Sequence, residues 1–237
     1  MTTGSEYSLE TLAEAVNYND FVYTRMRPFL GTRILELGAG TGNLTPYFLR
    51  YGTHVTAIDI DPDLIRIHRE QVEAQPRLVV ECCSIEHLAT KTELQGHFDS
   101  VASSNVLEHI PDNAIGDVIR AMRALLRPGG YAVHWIPAFQ GIFGTLDRAF
   151  GHHRRYSKAS ARKLFESAGF EVQSASYWNM PGFFGWWFHG RILKVQAIPR
   201  SSALAFDRYV VPILRVVEPR VWRPFGQSLL IVARKPV

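Results

Sequence analysis

The stretch RILELGAGTGN, residues 33–43, restricts the fold more than any other. Ile34, Leu35 and Leu37 form a short apolar run that reads as a buried strand. It passes without a spacer into Gly38-Ala39-Gly40-Thr41-Gly42. Glycines so placed suit a sharp turn after a strand, where a ligand approaches the backbone with no Cβ in the way. Asp59 closes the next apolar run, HVTAID, 21 residues after Gly38. A carboxylate there can accept both hydroxyls of a ribose. A dinucleotide fingerprint needs a third glycine at position 43, and that residue is Asn43, so no pyrophosphate cradle is implied.

Further apolar runs follow at regular intervals. RLVVECC (77–83), FDSVASS (98–104) and YAVHWIP (131–137) read as strands, and FEVQSASYW and GQSLLIVARK near the end read as two more. Helical patterns lie between them. Asp61 and Pro62 open one as N-cap and first helical residue. Ile115, Val118, Ile119, Met122, Leu125 and Leu126 form the stripe of another, which stops at Pro128-Gly129-Gly130. The alternation predicts an α/β fold, a doubly wound and mostly parallel sheet with helices on both faces, and ligands beyond the carboxyl ends of the strands. At 237 residues one domain is expected. Its parts are an N-terminal helical cap (1–30), a cofactor-binding core (31–177), an aromatic and basic insertion (178–226) and a final strand (227–237).

ILELGAGTGNLT, VTAIDIDPDLI, FDSVASSNVLEHIPD and LLRPGGYAVHWIPA resemble, in order and spacing, the successive motifs of class I S-adenosylmethionine-dependent methyltransferases. The resemblance covers residues 30–140 well and the rest loosely. It implies a Rossmann-like, seven-stranded sheet with an antiparallel last strand, and S-adenosylmethionine as cofactor. The backbone of Gly38, Ala39, Gly40 and Gly42 would pass under the methionine part, with Glu36 near its amino group. Asp59 would hold the ribose, Ile60 would pack on adenine, and Ser84 and Ile85 would meet the adenine edge. Many members carry Asp where Ser84 stands; serine accepts one bond there without a formal charge. Ser104, Asn105 and Val106 would line the methionine side, and Tyr18 would close over the cofactor.

A hydroxyl acceptor must lose a proton, and histidine is the natural base near neutral pH. His109, His134 and His152 are the candidates. NVLEHI resembles the E-x-x-E-H of metal-dependent 2′-O-methyltransferases of small RNAs and of ubiquinone O-methyltransferases. Asn105 stands in place of the first glutamate, so no metal is expected. GHHRRYSK (151–158) lies just before a helix starting at Ser157 and resembles a G-H-x-R-R-Y element in a subset of the family. His152, Arg154, Arg155 and Tyr156 are thus candidates for holding an anionic or sugar-like acceptor. Arginines fixing the loop through Asp147 or Glu171 are the competing reading. A nucleic-acid surface would want basic residues spread along a groove, and none is expected.

Residues 178–237 hold nine Lys/Arg against Asp207 and Glu218, within a net charge of +4 for the chain. YWNMPGFFGWWFHG places seven aromatics in fourteen positions. This insertion, with Trp186 in it, suits an acceptor-pocket wall, a homodimer surface or a peripheral membrane contact. Cys82 and Cys83 are adjacent and offer no disulfide framework, and the N-terminus shows no signal-peptide pattern. A cytoplasmic site, with or without contact to the inner membrane face, is the expectation. The activity expected is methyl transfer to a small-molecule acceptor, oxygen favoured. The alternatives are a lipid-linked or cell-surface glycan as acceptor, or a non-catalytic cofactor-binding partner protein.

Overall fold

The structure, a computed structural model, describes residues 11, 13–50, 52 and 54–237. The first ten residues of the expected N-terminal cap lie outside the described residues. Seven strands form one sheet: β1 (Arg33–Leu37), β2 (His54–Asp59), β3 (Leu78–Cys82), β4 (Phe98–Ser104), β5 (Leu126–Pro137), β6 (Glu171–Trp178) and β7 (Ser228–Arg234). Their order is β3-β2-β1-β4-β5-β7-β6. β1 to β5 pair in parallel, and β7 runs antiparallel between β5 and β6. The expected fold class is the observed one.

The helices are α1 (Val16–Met26), α2 (Thr45–Leu49), α3 (Pro62–Gln71), α4 (Ile85–Leu88), α5 (Ile115–Leu125), α6 (Thr145–Ala149), α7 (Lys158–Ser167), α8 (Met180–Trp187), α9 (Arg200–Ala205) and α10 (Val211–Val217). Asp61 caps α3 by accepting bonds from the Asp63 and Leu64 amides, and Ser157 caps α7 by accepting from Ser160 N. α5 ends earlier than its apolar stripe suggests. Leu126 is extended and already pairs with Phe98 of β4. Pro128, which disfavours helical backbone before it, lies just beyond.

Apolar side chains cover both faces of the sheet. One face packs Ile119, Met122 and Leu125 of α5 and Phe165 of α7 over Val101, Ala132 and Ile231. The other packs Phe21, Val22 and Met26 of α1, Phe48 of α2, and Val211 and Leu214 of α10 over Ile34, Val133 and Val232. The insertion is thus seated on the α1 face. Its two acids fasten it. Asp207 accepts from the Asn17 and Tyr18 amides in the first turn of α1, which has no capping side chain of its own. Glu218 accepts from the Asn179 and Met180 amides at the start of α8. Each carboxylate meets the positive end of a helix.

Candidate active site

The carboxyl ends of β1, β2 and β4 open on a cleft of about 820 Å³, closed on the far side by α1, α8 and the 198–207 segment. The glycine turn forms its floor. Gly38 has φ +65°, and a Cβ there would stand 2.5 Å from Val106 Cγ2. Gly40 has φ +53° with nothing within 4 Å of a Cβ position, so its bare backbone faces open cleft. Gly42 does not line the cleft. It packs under the turn, where a Cβ would stand 2.7 Å from Val72 Cγ2. The expected cofactor contact at Gly42 is corrected to a supporting role.

Two carboxylates flank the turn. Glu36 is buried and accepts a 2.6 Å bond from Thr45 Oγ1. Burial pushes its carboxyl up to about 8 despite that bond. Among the described residues no cationic side chain offsets that burial, and a ligand ammonium would satisfy the site. Asp59 Oδ2 accepts from Gly40 N and Oδ1 from Asp61 N. A carboxylate has about four lone-pair sites, so acceptor capacity for two hydroxyls remains. Ile60 beside it is 75% exposed in the cleft, a flat apolar seat without a protein partner above it. Tyr18, Ala39, Ser84, Ile85, Ser104, Asn105 and Val106 also line the cleft. Ser84 Oγ already accepts the His87 amide as the cap of α4, leaving one lone pair for a ligand. Tyr18 is pinned by the Trp135 indole, which donates to its hydroxyl at 3.1 Å. An amine, a diol and a flat apolar ring would therefore each meet a matching group, as in S-adenosylmethionine.

The other half of the cleft carries His109, Phe150, His152, Arg155 and Trp186. His152, Arg155 and Trp186 converge on Asp147, fully buried in α6. Its Oδ1 accepts from Arg155 Nε at 2.6 Å and lies 3.0 Å from His152 Nδ1. Its Oδ2 accepts from Trp186 Nε1 at 3.0 Å and Gly144 N at 2.9 Å. Burial opposes the charge on Asp147, but the donors outweigh it and hold the carboxyl below the usual aspartate range. The His152 ring stacks parallel to Trp186 and edge-on to His109, 4.9 Å between histidine centroids. His109 is open to the cleft on one side. The protein packed on its other side, then His152, hold its imidazole below the ordinary value, so it is neutral at pH 7.

His134 is not in this group. It lies within β5, fully buried, with Nδ1 2.7 Å from Ser103 Oγ and its ring stacked on Phe165 of α7. Burial pushes it down to about 3. The expectation of a base at His134 is corrected: its side chain faces the α7 layer of the core. Arg154 and Tyr156 also leave the cleft, which corrects their expected contact with an acceptor. Both donate to the Leu107 carbonyl, and Arg154 pairs with Asp112 at 2.8 Å. Their work is to hold the turn after β4. Arg155 lines the cleft and is also a loop fastener, bonded to Asp147 and to the Ala138 carbonyl. The competing reading, an arginine fixing the loop through Asp147, describes what Arg155 does.

Sequence reasoning named Asp147 as a partner for the loop arginines, but not as the acceptor shared by His152 and Trp186, and it did not place Glu108 beside it. Glu108 is fully buried; among the described residues neither carboxylate oxygen has a hydrogen-bond partner, although Oε1 lies 3.9 Å from His152 Nε2, and burial pushes the carboxyl up to about 8. Among the described residues, ligand atoms of Glu108, His109 and His152 lie within 4.8 Å of one another, a spacing that could hold a metal ion. The partner that no local spacing marks is Trp186, which reaches Asp147 from 39 residues away.

Comparison with known proteins gives this geometry a context. Residues 35–132 match a family model described as a methyltransferase domain. A ubiquinone biosynthesis O-methyltransferase of Xanthomonas axonopodis pv. citri is 38% identical over 112 residues, 47% of this chain and 45% of that protein. The chain thus matches under half the length of its curated relatives. A putative methyltransferase from Bacillus halodurans superposes with a TM-score of 0.62 at 18% identity, covering 91% of this chain and 99% of that one. A 1,6-didemethyltoxoflavin-N1-methyltransferase from Burkholderia thailandensis, solved with S-adenosylhomocysteine, has a TM-score of 0.57 at 20% identity and covers 91% and 77%. At these identities the structural likeness establishes the fold.

Proposed function

We propose that this chain is a class I S-adenosylmethionine-dependent methyltransferase that methylates an oxygen of a small-molecule acceptor, with His152 taking the acceptor's proton; the match of residues 35–132 to a methyltransferase-domain model supports the first part of that reading. The cofactor supplies a methyl group already made electrophilic by its sulfonium. The protein's remaining task is to align an acceptor with it and to remove a proton, which is chiefly positioning.

Glu36 receives the cofactor ammonium and becomes fully ionised as it does so. Asp59 takes the ribose hydroxyls, Ile60 the adenine face and Ser84 its edge, while Gly38 to Gly40 let the chain pass close beneath. On the acceptor side, His152 donates Nδ1–H to Asp147, and its Nε2, 3.9 Å from Glu108 Oε1, carries the lone pair that accepts a proton. The ionised Asp147 then stabilises the imidazolium that results. Trp186 and Phe150 wall the acceptor, and neutral His109 stands beside it as a hydrogen-bonding group. The observation that carries this reading is that Glu36, Asp59 and His152 face one cleft of about 820 Å³, with Asp147 buried behind His152. Oxygen as the acceptor atom draws support from the name of the Xanthomonas relative.

The test is His152→Gln, assayed with labelled S-adenosylmethionine on phenolic, catechol and amine acceptors. The variant is expected to lose about 100-fold or more in kcat with unchanged S-adenosylhomocysteine affinity. Undiminished turnover would remove His152 as base. Wild-type turnover on amines alone would remove oxygen, and cofactor binding without turnover on any acceptor would favour a non-catalytic partner protein. A second reading rests on the Glu108 carboxylate, which has no hydrogen bond among the described residues and lies 3.9 Å from His152 Nε2. With His109 and His152 it would hold a divalent cation, which could polarise an acceptor oxygen. Turnover and melting temperature unchanged by chelator and by added Mg²⁺, Mn²⁺ or Zn²⁺ would exclude it.

A further inference from the structure

Helix α8 continues through a π-helical turn to Ile192 and has two opposed faces. Gly182, Gly185, Trp186 and His189 line the cleft. Phe184, Trp187, Phe188 and Ile192 recur at helical spacing on the opposite side, and all four are exposed. The rod from Arg200 to Val217 repeats the design. Asp207, Val211, Leu214 and Glu218 are buried, whereas Tyr209, Ile213, Val216 and Val217 are exposed. Val221 and Trp222 come next, the latter 85% exposed. Phe225 then touches the rings of Phe183 and Phe184 at centroid distances of 5.1 and 5.5 Å, which links this segment back to α8. Exposed apolar side chains recurring along both rods suit an interaction site.

Charge identifies the occupant. Between Met180 and Phe225 there are seven basic residues and two acids. Both acids, Asp207 and Glu218, are buried and spent on backbone amides. The exposed charges of the segment, at Arg191, Lys194, Arg200, Arg208, Arg215 and Arg220, are therefore all cationic. Arg200 and Arg215 meet Glu14 and Asp20, while Arg191 and Arg208 stand next to Ile192 and Tyr209 of the apolar stripes. Exposed Trp, Phe and Ile interleaved with Arg and Lys suit the boundary between lipid headgroups and acyl chains. A second copy suits the face poorly, since a two-fold contact would set each cationic border against itself.

We infer that the outer face of the 180–225 segment docks on a bilayer containing anionic phospholipid. Its apolar stripes enter the acyl boundary, and its arginines and lysine meet lipid phosphates. Because α8 both walls the cleft and carries one stripe, the acceptor class is an amphiphile met at the lipid surface; this clause alone rests on the methyl-transfer reading.

The test is flotation of the full chain with vesicles of phosphatidylcholine alone or with about 30% phosphatidylglycerol, at about 0.1 M salt. The comparison variant carries Trp187→Ser, Ile213→Ser and Trp222→Ser. The wild type is expected to float with the anionic vesicles and about tenfold less with the neutral ones, and the variant to lose about tenfold on the anionic vesicles. S-adenosylhomocysteine affinity, measured on the same samples, should match between the two proteins. It reports folding and tests the cofactor reading separately from docking. If the triple variant does not fold, Trp222→Ser alone replaces it, with an expected loss of about threefold. Wild type that stays unbound, that floats equally with neutral vesicles, or that floats no better than the variant overturns the inference. So does a wild-type dimer that the variant converts to monomer.

Discussion

Asp147→Asn is the substitution that the site tolerates least. Asp147 offers two oxygens to four donors: Gly144 N, His152 Nδ1, Arg155 Nε and Trp186 Nε1. Asparagine keeps the shape but has one carbonyl oxygen, so its amide NH₂ must face two of those donors. The partner Arg155 has a side chain 1% exposed and keeps its charge. Breaking a buried pair from one side costs about 3–5 kcal/mol, most of it from the stranded charge. For a domain of this size each kcal/mol moves Tm by about 2–4 °C, so a fall of roughly 6–20 °C is expected. The pH dependence adds a second check. A carboxyl held below its unfolded value contributes stability that is present above the ordinary aspartate value and lost as pH falls through the depressed one. The asparagine side chain cannot titrate, so the acid limb of a stability–pH curve should flatten in the variant. Differential scanning fluorimetry from pH 3 to 8 reads both effects. A Tm within about 2 °C of wild type at pH 7 would refute the hub, because it would mean that Arg155 finds another partner at no cost.

Two further predictions concern the other perturbed groups. Glu36 is held up at about 8, so at pH 7 the free protein carries it mostly protonated. Cofactor binding should release a proton, and affinity for S-adenosylhomocysteine should rise between pH 7 and 8. Calorimetry in buffers of different ionisation enthalpy checks this, and Glu36→Gln should bind without proton release. His134→Gln should leave turnover unchanged while removing a titrating core group. His134 is pushed down to about 3, so its neutral form supports the fold above the ordinary value of 6.5 and that support is lost as pH falls from 6.5 toward 3. The glutamine variant should lack this part of the acid destabilisation; a large fall in kcat would restore His134 as a base.

The sheet and the cofactor half of the cleft were legible because their signals are local. A strand running into Gly38, a carboxylate at Asp59 and a cap at Asp61 each depend on a few adjacent residues. Gly42 was misassigned because a φ of +90° under a turn and a ligand contact call for the same residue type. His134 was misassigned because β5 runs on to Pro137, which leaves position 134 inside the strand. Its neighbours on that face, Ser103 and Phe165, come from β4 and α7 and leave no trace near His134 in the chain. The acceptor half was least legible for the same reason. Asp147, His152 and Trp186 are joined by hydrogen bonds spanning separate segments, and only the folded chain makes them neighbours.

The sequence GHHRRYSK combines two tasks that no single residue performs. In the extended backbone, Arg154 and Tyr156 stand two apart on one side and reach the same Leu107 carbonyl. They tie the loop to the turn that carries Glu108 and His109. His152 and Arg155 instead reach Asp147 and the cleft. The loop is therefore fixed twice, once to the β4 turn and once to α6. Trp186 bonds to the second anchor from α8, so the helix proposed to lie on lipid is one hydrogen bond from the carboxylate that orients the proposed base. Displacing α8 at a bilayer would loosen the Trp186 bond to Asp147 Oδ2, while His152 and Arg155 would keep Oδ1. Trp186→Phe removes that one bond and keeps an aromatic ring. If the coupling is real, the variant should lower kcat by about tenfold, while loss of one hydrogen bond to a charged group, about 1.5 kcal/mol, should lower Tm by only about 3–6 °C. A fall in Tm as large as that expected for Asp147→Asn would instead make Trp186 part of the loop's foundation.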